Sequence, residues 1–409
     1  MTTFFRYGGT ALTAAFATLA TACAGTTGAE ESTYPATPVP ATEVSSAQPR
    51  LTLTYDGGVL VADEGDLAVV DEFELDGFNR LSPAGDGRHV LISTDGGFRV
   101  LDTGSWTEAH GDHDHHYAGS PTLTALKFDA EKPGHAVAHA GVTALFDDGT
   151  GRIDVFDPAG LESATELPPL DSYTLAEAHH GLAVPVPGGG MLVTLGDSDK
   201  RTGVALLDKS GAEIVRTEDC PGIHGATVAA DGVVVFGCED GTVIFRKGSF
   251  EKASAPDPYG RIGNQSGTVN SPVVLGDYKT DPDAELERPE RIALVDTRTA
   301  SVRLVDLGTS YTFRSLGRGP HGEALVLGTD GDLRIIDPET GELVRRIPVT
   351  EPWIEPDDWQ SPRPALEVHD TTAFVIDPAT NSLHAVDVVS GEIRSAELPY
   401  TPNEISSVA

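Results

Sequence analysis

Apolar residues along this chain come in short β-branched runs broken by Gly, Asp or Pro, and from Leu51 onward no long window has a helical period. The pattern predicts strands and tight turns throughout. One phrase recurs: an apolar strand, an Asp-Gly type turn, and a second apolar strand ending in Asp, which together make a hairpin. It stands at 58–71, 89–102, 142–157, 226–245, 324–337 and 373–387, with degenerate copies near 182–208 and 273–296. From the third copy on, the spacing is about 40 to 50 residues, the length of a four-stranded propeller blade. The copies predict an all-β fold, a single β-propeller of eight blades. Seven is the alternative, because the first two copies lie only about 30 residues apart. Closing the ring hides the edge strands, and Leu51 to Tyr55 is the candidate to complete the last blade after 393–398.

The N-terminus departs from this pattern. Arg6, an apolar stretch from Ala11 to Ala20 and small residues before Cys23 make residues 1–23 a signal peptide, too short and weakly apolar to span a membrane. Leu19-Ala20-Thr21-Ala22-Cys23 resembles a bacterial lipobox, in which Cys23 is lipidated; cutting after Ala22 by an ordinary signal peptidase is the alternative. Residues 24–49, rich in Thr, Ser, Pro, Ala and Glu, read as a flexible tether, which leaves 50–409 for the propeller.

Charge narrows the partners. With 63 acidic against 28 basic residues, the 409-residue chain carries a formal net charge of −35. Such a field excludes nucleic acid and anionic membrane as electrostatic partners, so membrane contact is expected only through the lipid anchor, and it draws in cations. Four of the thirteen histidines fall in the loop 110–116, as His110, His113, His115 and His116, interleaved with Asp112 and Asp114. Imidazole suits zinc and other borderline divalent ions, and a carboxylate can ligate or can orient a ring through its second N–H. His139, His180, His224, His321 and His369 each stand just before an apolar strand of a repeat. The first strand of a blade lines the channel, so histidines at one register can converge from different blades, and three of them would make a zinc site with an open fourth position. Apart from Cys23, the cysteines are Cys220 and Cys238. Outside the cytoplasm they read as a disulfide, about 3 kcal/mol by loop entropy, with a two-thiol metal site as the rival.

A family resemblance rests on the His-rich loop, Gly134-His-Ala-Val-Ala-His-Ala-Gly141 with Phe146-Asp-Asp-Gly149, Ala178-His-His-Gly181, Cys220-Pro-Gly-Ile-His-Gly225 and Phe236-Gly-Cys-Glu-Asp-Gly241. In this order they resemble the AztD-type zinc metallochaperones, extracytoplasmic β-propellers that deliver zinc to the solute-binding protein of an ABC importer. The resemblance covers about His110 to Asp387. It implies a monomeric, non-enzymatic zinc carrier with a tight site in the body and a mobile His-rich loop beside it. The family motifs fall on His113, His115 and His116 in the loop and on His135, His139, His179, His180 and His224 in the body, and they favour the Cys220–Cys238 bridge. His139, His180 and His224 are the expected body ligands, with His116 as the fourth, and zinc is expected to leave as pH falls through about 6.5. The family's other members are free periplasmic proteins, so a lipid anchor is a departure. Two other classes remain open: a metal-dependent propeller hydrolase or lyase, against which stands the lack of a serine elbow, and a cell-surface scaffold with no metal function.

Overall fold

The computed structural model describes residues 39–162 and 165–408, in which strands follow one another as antiparallel meanders of four. Tight turns dictate this order. The Asp56-Gly57 turn, with Gly57 at φ 104°, folds Arg50–Tyr55 directly back on Gly58–Asp63, so a strand pairs with its neighbour in sequence. The first sheet adds Val69–Glu74, and the second holds Arg80–Pro83, His89–Thr94, Gly97–Asp102 and Thr122–Asp129. The third to eighth sheets begin with Pro133–His139, Ala183–Val186, His224–Ala229, Gln265–Thr268, Leu316–Arg318 and Ala365–His369.

The core lies between sheets. Among the described residues, eight apolar clusters each join two consecutive sheets, from Val59, Val61, Val90 and Ile92 between the first and second to Leu51, Leu53, Phe374 and Ile376 between the eighth and first. The chain is therefore a closed β-propeller. In the second to eighth sheets the first strand lies innermost, as the repeat register predicts, and the innermost strands pack on one another around the channel.

Closure differs from the expectation. Arg50–Tyr55 is held in the first sheet by its two-residue turn, so it does not complete the last one. Instead Pro402–Ser407 takes the innermost place of the first sheet, pairing Leu51 with Ser407 and Leu53 with Ile405. Beside this seam Ser407 donates through its N–H and Oγ to Glu367, and His369 Nδ1 meets Glu64 Oε2 at 2.7 Å.

Two further expectations are corrected. The His-rich loop is a β-hairpin, Ser105–His110 against His113–Ala118, and its tip is the tight turn at Gly111 (φ 68°). The tether expected over 24–49 does not run free to its end, because Thr42–Val44 forms a third strand paired with His116, Tyr117 and Ala118. The signal peptide and Cys23 lie outside the described residues. Among the described residues, no helix is long and apolar enough to cross a membrane.

Candidate metal centres

Three histidines from three consecutive sheets meet where the innermost strands begin. His135 is on the innermost strand of the third sheet, His180 lies in the loop before Ala183–Val186, and His224 opens the innermost strand of the fifth. One ligand nitrogen from each lies within 4.8 Å of the others. Nitrogens on one tetrahedral zinc stand about 3.3 Å apart, so a shift of about 1 Å would gather these three on one ion. Two of the rings are already oriented for it. His224 Nδ1 donates to the Gly263 carbonyl at 2.8 Å, and His180 Nδ1 meets Asp148 Oδ2 at 2.6 Å, which leaves each Nε2 lone pair free.

The chain is shaped around this arrangement. The Asp148 side chain is 6% exposed and also accepts the Gly181 N–H. A Cβ on Gly134 would stand 2.2 Å from Asp148 Oδ1, so the glycine before His135 makes the room in which the orienting carboxylate sits. Cys220 and Cys238 form a disulfide with Cα atoms 5.0 Å apart, which ties the loop before His224 to the strand Val233–Cys238 and withdraws both sulfurs from any metal site. A cavity of about 200 Å³ opens beside His135 and His224, faced across the channel by Phe313 and Leu316.

Electrostatics keeps His135 and His224 neutral. Burial pushes His135 well below the ordinary histidine range, and the charges of His180, His224, Arg80 and Arg201 act the same way. His224 is pushed down to about 4 by burial, against the raising effect of the Gly263 carbonyl, with His180, Arg201 and Arg261 adding to the fall. Neutral imidazole is the metal-binding form.

His139 and His179 are elsewhere. His139 shares a strand with His135, but four steps along the extended strand separate them by about 13 Å. Its Nδ1 binds the Pro185 carbonyl at 2.6 Å. His179 is 4% exposed and uses both nitrogens within the protein, Nδ1 on the Glu177 carbonyl and Nε2 on Thr194 Oγ1. Its neighbour His180 is the one that joins the group.

The hairpin carries a second cluster. His110, His113 and His115 also bring one ligand nitrogen each within 4.8 Å. Strand alternation explains the set: His113 and His115 share a face, and His110 is the cross-strand partner of His113. The Nε2 atoms of His113 and His115 are 3.2 Å apart, close to the spacing of two ligands on one zinc. Asp112 Oδ1 lies 3.2 Å from His113 Nδ1, and Glu43 Oε1 lies 2.6 Å from His115 Nδ1. His116 and Asp114 fall on the opposite face, where His116 Nδ1 pairs with Thr107 Oγ1 at 2.9 Å. His116 is therefore not a fourth ligand to the body group.

The two clusters also belong to opposite ends of the ring. His135 sits at the start of its innermost strand, within electrostatic reach of Arg80 at the start of the innermost strand of the second sheet. The hairpin leaves that second sheet after Asp102, beyond the end of Arg80–Pro83, where Thr143 donates to the Ala84 carbonyl. Asp148 and Glu43 escaped the sequence reading as orienting groups. Asp148 had a signal, since Phe146-Asp-Asp-Gly149 was among the motifs, whereas Glu43 sat in a stretch of tether-like composition.

No family model matches the chain. A zinc chaperone, AztD of Citrobacter koseri, is 27% identical over 338 residues, which are 78% of this chain and 77% of that protein. A crystal structure of Citrobacter koseri AztD has a TM-score of 0.78 at 24% identity, covering 89% of this chain and 98% of that one. The apo form has a TM-score of 0.76 at the same identity and coverage. A computationally designed protein, Ika8, has a TM-score of 0.54 at 14% identity, over 87% of this chain and 95% of that one. The structural likenesses show the propeller fold; the sequence likeness agrees with the resemblance read from the motifs.

Proposed function

We propose, from the likeness to AztD and the convergence of His135, His180 and His224, that the protein is an extracytoplasmic zinc metallochaperone. It carries Zn²⁺ as cargo and passes it to the solute-binding protein of an ABC zinc importer. It works as a monomer, held to the outer face of the cell membrane through Cys23. The observation that carries the reading is the meeting of three imidazoles from three sheets, two of them with Nδ1 already engaged and Nε2 free.

Nε2 of His180 and of His224, with one ring nitrogen of His135, hold the ion and leave its fourth position open. An incoming histidine or carboxylate of the acceptor takes that position and replaces the imidazoles one at a time, so zinc is never released to bulk water. Arg80, Arg201 and Arg261 place positive charge near the site, which weakens the hold on a dication and favours release. On the hairpin, His110, His113 and His115 form an exposed station for capture or hand-over. The cargo undergoes no chemical transformation, in contrast to the ion of a metal hydrolase, which would be kept through turnover.

The test is transfer. Zinc-loaded protein is mixed with the importer's binding protein and a competing chelator, and zinc is followed by elemental analysis of the separated proteins. Zinc should appear on the acceptor faster than the chelator alone removes it. Replacing His135, His180 and His224 together by Asn should abolish tight binding. Full retention of affinity by that variant would refute the assignment.

A further inference from the structure

The N-terminal segment reaches the hairpin cluster. Thr42–Val44 is a strand of only three residues, set against Ala118, Tyr117 and His116, and just before it Val39 exchanges bonds with Ser120. Its side chains alternate, and Glu43 pairs with Tyr117 on the face that carries His110, His113 and His115. From there its carboxylate spans to His115 Nδ1 at 2.6 Å. Gly119 admits the segment: a Cβ there would stand 2.7 Å from the Ala41 backbone and 2.8 Å from the Val39 carbonyl.

We propose that Glu43 is a positioning residue of the hairpin cluster, so that docking of the N-terminal segment and binding of a divalent cation at His110, His113 and His115 strengthen each other. This rests on reading the hairpin as a zinc station. A carboxylate on Nδ1–H fixes the tautomer that leaves Nε2 free, stops the ring from rotating, and makes the imidazole a better donor. His113 has Asp112 for this purpose from its own strand; His115 depends on a residue 72 positions away. Whatever the segment contributes to zinc binding, zinc must return to the segment, because coupling between two binding equilibria is reciprocal. A three-residue strand is marginal alone, so that return decides whether it stays docked. The hairpin thereby reports its occupancy to the chain leading back toward Cys23.

Amide hydrogen exchange on the full chain, titrated with free zinc alone, reads both halves locally. In the native protein, zinc should slow exchange at 42–44 and at 113–118 with a common midpoint. Glu43→Gln should leave protection of 42–44 unchanged without zinc, since its backbone pairing remains, yet raise the midpoint about tenfold. Gly119→Ala should expose 42–44 without zinc and raise the midpoint as well, although Glu43 is intact. A midpoint unmoved in both variants, while zinc still protects the native hairpin, overturns the proposal and leaves the hairpin station standing. Absence of any zinc effect on the native hairpin overturns both.

Discussion

At the scale of single residues, the partners of each ring nitrogen decide which histidines can serve, and burial sets the pH range of His135 and His224. His224 titrates near 6.5 in an unfolded chain and about 4 in the folded protein, so the unfolded state holds more protons across that interval. Stability of the metal-free protein from this group is complete above about pH 6.5 and declines as pH falls toward 4. The same neutrality protects zinc binding, because a ligand already without its proton has none to surrender. The sequence alone suggests loss of zinc near pH 6.5; with His135 and His224 both depressed, the number of protons exchanged per body-site zinc between pH 7.5 and 5.5 should fall well short of three. Chelator competition across that range measures the slope, and a slope near three would contradict the burial argument. The disulfide offers a second handle. Replacing Cys220 and Cys238 by Ala should lower stability by about 3 kcal/mol in denaturant melts. It should also weaken zinc binding, since His224 lies four residues beyond the bridge. What the sequence disclosed at this scale was composition and motif. It favoured His139 over His135, although alternation puts both on one face of the strand and gives no ground for that choice. Only the arrival of neighbouring loops at the strand's start makes the choice.

At the scale of elements, hairpins were legible because glycine turns and apolar alternation are local signals. Pairings between distant segments were not. The seam shows why: Leu51 to Tyr55 looks equally suited to either neighbouring sheet, and the two-residue turn to Gly58–Asp63 settles the matter. Pro402–Ser407 is then indispensable, covering the backbone edge of Leu51 and Leu53, both fully buried. Ending the chain before Pro402 should strip that edge and give aggregated or oligomeric protein in size-exclusion chromatography. A monomer melting as the full chain does would mean that the clusters between sheets close the ring unaided. Composition misled at the tether, where Thr, Pro and Glu signal disorder yet Thr42–Val44 finds a strand to join.

At the scale of the whole molecule, the ring and the hairpin are separate in construction. The eight inter-sheet clusters contain no residue of Ser105–Ala118, and the three-stranded sheet stands apart from the sheet of the strands that flank it. Replacing 110–116 by a short glycine turn should therefore remove the zinc bound there without moving the thermal midpoint of metal-free protein; calorimetry and elemental analysis on one sample decide it. The sequence foresaw a propeller with a histidine-rich appendage, but it set the two side by side, since position along a chain says little about which end of a ring a loop leaves. That geometry bears on traffic. Traffic at one rim need not obstruct the other: a docked acceptor would mask a single mouth of the molecule, and the opposite one would stay open to incoming ions while the previous one was being unloaded.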